Sequence, residues 1–258
     1  MIQEFRVGAH RLLFGLQPEQ FMSDHNLLWY AQNRQLPEAE VIAVLLRALK
    51  PGDCAVDAGA NVGFFTVLMS KIVGSEGRVL AIEPDSCNAD KLNKNLDINS
   101  CVNVQVIQTA LGNHVGSAAL WAHEDNGQSS MFGETRVGDK PEFVAVQPLD
   151  ILIKGRPRLL KMDIEGSEVH ALKGCAFDFP YIVTEVNERA LARAGHSAAD
   201  LYTILRERGY HRYQLHADGS MPSKLEFSQT VKLTRENANM LFAPRDYVAR
   251  NLWPEVEI

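Results

Sequence analysis

The segment Asp57-Ala58-Gly59-Ala60-Asn61-Val62-Gly63 constrains this chain more than any other. The apolar run Cys54-Ala55-Val56 precedes it, and the helix-like run Phe64-Phe65-Thr66-Val67-Leu68-Met69 follows it. A short buried strand, a glycine turn and a helix start, in that order, open an α/β fold of the nucleotide-binding type. In a G-x-G-x-x-G turn the first glycine lets the backbone approach a pyrophosphate. Asp57 stands at that place here, and a carboxylate repels a pyrophosphate. The same charge suits a ligand carrying an ammonium or a sulfonium, so a nicotinamide dinucleotide is disfavoured, as it also is by Val62 at the third glycine position.

Strand and helix patterns alternate after this opening. Strands are expected at 54–58, 78–82 and 104–107, with helices over 62–73 and 86–98 between them. A fourth strand, 158–162, a helix from Ser167 to Lys173 and a fifth strand from Tyr181 follow. Such βα repeats predict an α/β fold with a mostly parallel, Rossmann-like sheet covered by helices. Tyr210–Leu215 and Asn239–Ala243 read as a terminal antiparallel pair. Between strands three and four the rhythm breaks, and Ala118–Trp121 with Phe143–Val146 reads as a β-hairpin insertion. Pro37, Glu38 and Glu40 are expected in the first turn of a helix that carries Val41, Val44, Leu45 and Leu49. Residues 1–36, with Phe5, Phe14, Phe21, Trp29 and Tyr30, read as an N-terminal extension packing on a domain that spans 37–258.

A chain of 258 residues, 46% hydrophobic and 22% charged, supports one large soluble core. Its net charge of -6 opposes wrapping a phosphate backbone, so no nucleic-acid partner is expected. Cys54, Cys87, Cys101 and Cys175 form no C-x-x-C pair and read as reduced thiols, with Cys54 packed in the core. No apolar leader and no membrane-length run is evident, and a cytoplasmic protein is expected.

In open α/β sheets, ligands bind beyond the carboxyl ends of the strands. Asp57, Glu83, Asp163 and Glu185 fall at such ends, and Thr109-Ala110 follows the third strand. Glu83 follows Asp57 near the offset of about 20 residues at which an acid binds ribose hydroxyls, and Pro84 fixes the turn behind it. Gly59 and Gly63 permit close backbone approach around Ala60. Asn61 either caps the next helix or bonds the ligand, and Thr66 on that helix is a further binding candidate. The charge logic of this pocket fits S-adenosylmethionine (SAM).

A second marker, Lys161-Met162-Asp163-Ile164-Glu165-Gly166-Ser167-Glu168, is more specific. With D-A-G-A-N-V-G, Ile82-Glu83-Pro84, Gln128-Ser129-Ser130 and Thr184-Glu185, it resembles the FkbM family of SAM-dependent methyltransferases over residues 50–190. The resemblance implies a seven-strand class I methyltransferase sheet and O-methylation of a sugar, polyketide or other natural product. It also implies that Asp57, Gly59, Asn61, Gly63 and Glu83 belong to the SAM site.

Methyl transfer to an alcohol requires alignment and a group that accepts the alcohol proton. Asp163 is the first candidate for that role and for holding substrate, with Glu165 beside it. Lys161 lies on the same face of the strand, where an ion pair with Asp163 is expected. Glu168 in the first turn of the next helix suits the helix dipole. Asp163, Glu165 and Glu185 offer oxygen ligands for Mg²⁺, but they equally suit hydrogen bonding to a polyol, and no metal is predicted. His123, Glu124 and Asp125 in the insertion are weaker candidates for reaching the site. The N/D-P-P-Y/F turn of amino-methyltransferases is absent after strand four. The best-fitting function is O-methylation of a small hydroxylated molecule; the alternative is a non-catalytic SAM-binding or interaction module.

Overall fold

The computed structural model describes residues 1–20, 22–123, 128–132, 141–218, 220, 222–225, 237–244 and 252. Phe21, Glu124 and Asp125 lie outside the described residues, as does the side chain of His123.

The chain begins with a hairpin of β1 (Ile2–Val7) and β2 (His10–Gly15), then α1 (Met22–Gln32) and α2 (Ala39–Ala48). The first half of the main sheet follows as β3 (Cys54–Ala58), α3 (Phe64–Val73), β4 (Arg78–Ile82), α4 (Ser86–Ile98) and β5 (Val104–Ile107). Next come β6 (Ala110–Leu111), β7 (Gly116–His123), β8 (Gln128–Ser130), β9 (Glu142–Gln147) and the short α5 (Leu149–Leu152). The second half is β10 (Leu159–Met162), α6 (Glu168–Lys173), β11 (Tyr181–Asn187), α7 (Glu188–Arg193) and α8 (Ala198–Glu207). It closes with β12 (Tyr210–Gln214), β13 (Ser223–Leu225) and β14 (Asn237–Pro244).

The main sheet has eight strands in the order β13-β12-β14-β11-β10-β3-β4-β5. Strands β5, β4, β3, β10 and β11 run parallel; the central β3, β10 and β11 are buried on both faces, whereas the edge strand β5 is half-buried with Gln105 exposed. β14 is antiparallel to β12, as expected, and also to β11. The chain winds outward from β3 to β5 and then returns to β10 on the other side of β3. That reversal is the topological switch point, and it opens a crevice above Ala58 and Met162.

Three expectations need correction. The main sheet has one strand more than seven, because Ser223–Leu225 adds an edge to β12. The insertion is not a plain hairpin: β7 and β9 pair antiparallel, but β6 and β8 extend them to a four-stranded sheet in the order β6-β9-β7-β8. Cys54 is half-buried, and Cys175 is the buried thiol.

The N-terminal hairpin is stitched to the body by amide side chains of α4. Asn99 Oδ1 accepts from Leu13 N at 2.9 Å, and its Nδ2 donates to Leu13 O at 2.6 Å. Asn95 Oδ1 accepts from Gly15 N at 3.1 Å. Phe5 and Phe14 pack on Phe64 of α3 with centroids 5.5 and 5.6 Å away. Aromatic packing of this kind adds about 0.5–1.5 kcal/mol per pair to the burial itself. Asp24 on α1 is fully buried, accepts from Gln17 N at 2.6 Å and pairs with Lys91 of α4. These contacts set α1 beside the crevice.

Candidate active site

A cavity of about 290 Å³ fills the crevice above the switch point. Its wall comes from four places: the Gly59–Val62 turn, the ends of β4 and β10, the insertion sheet, and α1 with the start of α2.

The glycine turn is held from beneath by Ile82, whose carbonyl accepts from Gly59 N at 2.9 Å and Ala60 N at 3.1 Å. Gly59 has φ +77, and a Cβ there would run into the Asp163 carbonyl. Only glycine lets this turn touch the loop after β10. Asn61 adopts φ +49, and its Oδ1 accepts from Val62 N at 2.7 Å. It does not cap α3; Gly63 holds the N-cap position, with no side-chain cap.

One end of the cavity is formed by Glu83, Pro84, Asn88, Thr109 and Ala110. Glu83 Oε2 accepts from Asn61 N at 2.8 Å and Oε1 from Asp85 N at 3.0 Å. The Asn88 side chain also donates to this carboxylate, which keeps the rest of its acceptor capacity for a ligand hydroxyl. Burial pushes the Glu83 carboxyl up to about 7, against the two backbone amides. The Thr109 hydroxyl is turned away, donating to Ala145 O at 2.9 Å.

The other end is crowded with acids. Asp163 and Glu165 line it, and together with Glu185 they bring one carboxylate oxygen each to within 4.8 Å of one another. Burial pushes Glu165 up to about 8, helped by the charges of Asp163 and Glu168. Glu168 is buried, and its Oε1 accepts from Ile164 N at 3.2 Å and Gly166 N at 3.4 Å, so it shapes the acid loop from inside. Glu185 sits within β11 rather than at its end, opposite Asn239 of β14.

The structure separates the expected site residues into two groups. Gly59, Ala60, Asn61, Glu83, Pro84, Thr109, Ala110, Lys161, Asp163 and Glu165 line the cavity. Asp57, Gly63 and Thr66 lie behind its wall. Asp57 is fully buried, accepting from the Thr66 hydroxyl at 2.6 Å and facing Lys161 Nζ at 3.6 Å. The ion pair expected between Lys161 and Asp163 is thus formed with Asp57 instead, because parallel register sets Lys161 directly beside Asp57. Burial works against the Lys161 charge, but the carboxylates of Asp57, Asp163, Glu38 and Glu185 hold its pKa above the usual lysine value.

Sequence reasoning missed the part played by three residues. Ser129 and Ser130 of β8 bridge the two ends: Ser129 Oγ donates to Asp85 Oδ2 at 3.0 Å, and Ser130 Oγ donates to Glu165 O at 2.9 Å. Their place in the Gln128-Ser129-Ser130 motif was the available signal. Glu38 was expected inside the first turn of α2, but it has φ 42, makes no side-chain cap and lines the cavity. Glu38, Asn61 and Glu165 are all non-glycine residues at positive φ on this one wall. Each such conformation costs on the order of 1–3 kcal/mol and persists where surrounding structure enforces it.

The parallel sheet, the switch-point cavity and its ribose-suited acid define a class I methyltransferase fold. The Methyltransferase FkbM domain model matches residues 57–212, and the chain belongs to that family, whose cofactor is SAM. It is 26% identical over 142 residues to Methyltransferase 1 of Beauveria bassiana, covering 46% of this chain and 57% of that protein. It is 28% identical over 145 residues to the hexuronic acid methyltransferase AglP of Haloferax volcanii, covering 53% and 56%. The matches thus span little more than half of each relative. Among solved structures, fibrillarin of Aeropyrum pernix with bound SAM is similar at TM-score 0.45 and 16% identity, covering 80% of this chain and 76% of that one. Among the described residues, no helix is long and apolar enough to cross a membrane.

Proposed function

We propose that this chain is an O-methyltransferase acting on a hydroxyl of a small, hydroxyl-rich molecule. One observation carries the reading. Glu83, suited to a ribose diol, follows β4, and Asp163 and Glu165 follow β10 on the other side of β3, yet all three line the same cavity. When bound, SAM supplies a methyl carbon on a sulfonium, a good leaving group. The protein's part is to hold a hydroxyl in line with that carbon and to take its proton. The bound donor would give its methyl carbon to the alcohol oxygen, its sulfur leaving with the electron pair of the carbon–sulfur bond, and the alcohol proton would pass to a carboxylate. Asp163 is the acceptor we assign. Glu165 shares its loop and supports it.

A hydroxyl-rich acceptor is also in keeping with the hexuronic acid acceptor in the name of the Haloferax volcanii relative. Nucleic acid is disfavoured by the net charge of -6 and by the acids that line the cavity. The test is turnover of methyl-labelled SAM against a panel of sugars and hydroxylated metabolites, with Asp163→Asn alongside. A fall of about 10²–10⁴-fold in kcat is expected for the variant, the range contributed by general-base groups. Undiminished turnover removes Asp163 from the chemistry. Tight SAM binding with no transfer to any member of the panel would favour the non-catalytic module.

A further inference from the structure

The acid that opens the glycine turn was the natural partner for a cationic ligand, and the structure has spent it elsewhere. Asp57 is enclosed by Thr66 and Lys161 and takes no part in the cavity wall. With the adenosyl ribose at Glu83, the amino-acid tail of the methyl donor lies toward Lys161 and the start of α2, which line the same cavity. That tail carries an ammonium and a carboxylate on one carbon. The wall there offers Lys161 and, from the other side, Glu38.

Glu38 has the features of a residue placed for a ligand rather than for its helix. Its backbone is left-handed at the N-cap of α2, where the side chain would ordinarily bond an amide of the first turn, and it makes no such bond. Its carboxylate instead reaches Asn239 Nδ2 at 3.1 Å, which also donates to Glu40 Oε1 at 3.1 Å. One amide thus serves two carboxylates. Burial pushes Glu38 up to about 7, and the charges of Asp163 and Glu40 add to this, against the pull of Lys161. A carboxylate in such surroundings gains strongly from an incoming cation.

We infer that Glu38 receives the α-ammonium of SAM while Lys161 faces the α-carboxylate. The inference rests on the cofactor reading and adds a positioning residue upstream of the glycine turn, outside the segment that the family model matches.

Three probes separate the possibilities by calorimetry on the full chain. They are S-adenosylhomocysteine, its analogue with hydrogen in place of the amino group, and methylthioadenosine, which lacks the amino-acid tail. The wild type should prefer S-adenosylhomocysteine to the deaminated analogue by at least about tenfold, the size of a charge-assisted hydrogen bond. Glu38→Gln should erase that preference and leave methylthioadenosine binding unchanged. A Glu38→Gln protein that keeps the preference, or that weakens all three probes equally, overturns the inference. If that variant does not fold, a wild-type preference below twofold overturns it alone. A wild type that binds none of the three removes the cofactor reading itself, a separate result.

Discussion

Lys161 faces Asp57 at 3.6 Å across the β10–β3 register, and not Asp163 just beyond the end of its own strand. Both partners are almost wholly buried, so neither charge has water to fall back on. A buried pair of this kind adds little net stability, yet removing one member strands the other at a cost of about 3–5 kcal/mol. We expect Lys161→Met and Asp57→Asn each to lower unfolding free energy by an amount of that order. The double variant should be less unstable than the sum of the two. Urea melts of the four proteins measure this, and simple additivity would show that the pair is not coupled.

Stability should fall as pH rises from about 4.5, the ordinary glutamate value, to about 8, most steeply below 7. Glu38, Glu83 and Glu168 are pushed up to about 7 and Glu165 to about 8, chiefly by burial. The folded chain therefore holds protons in this range that the unfolded chain has already released. Raising the pH draws those protons off and favours unfolding. Thermal melts should show a melting temperature that declines across the interval, and a flat profile would contradict the burial of these carboxyls. Glu38→Gln should make the decline shallower.

The parallel core was readable because strands covered on both faces leave continuous apolar runs, as Val79-Leu80-Ala81-Ile82 does. The place of Glu83 in the cavity wall was readable because its distance from the glycine turn is set by one βα unit. Less visible was what depends on contacts between distant parts of the chain. Asp57 looked like a ligand for a cation, and only the register of β10 shows Lys161 already beside it. Glu38 looked like an ordinary first-turn acid, since nothing in its identity announces a left-handed backbone. The three residues of β13 are too few to carry an alternation.

Ser129 and Ser130 sit next to each other on β8 but serve opposite ends of the cavity. Ser129 holds Asp85 beside Glu83, and Ser130 holds the Glu165 carbonyl while also accepting from Phe132 N at 3.1 Å. Loss of one such hydrogen bond costs about 1 kcal/mol, or about fivefold. Ser129→Ala should raise the SAM dissociation constant by about that factor with kcat little changed. Ser130→Ala should lower kcat with cofactor affinity little changed. Equal effects on both parameters in both variants would mean that β8 acts as one block.

Three glycines at positive φ allow backbone strain to be separated from steric contact. Gly155 has φ +94 with open space where a Cβ would stand, so Gly155→Ala bears only the conformational cost, about 1–2 kcal/mol. At Gly63 a Cβ would meet Leu92 Cδ1 at 2.5 Å, the tip of a side chain that has room to rotate only at the expense of packing. Gly63→Ala should therefore cost more than Gly155→Ala while leaving the cavity wall in place. At Gly59 the obstacle is the Asp163 carbonyl, main chain at the end of a central strand. Relief there requires the loop carrying Asp163 and Glu165 to move away from the turn that lines the cofactor cavity. The expected order of destabilisation in urea is Gly155→Ala, then Gly63→Ala, then Gly59→Ala. Binding of S-adenosylhomocysteine should be lost in Gly59→Ala even at temperatures where that variant remains folded, because the displaced loop and the displaced turn are the two sides of one cleft.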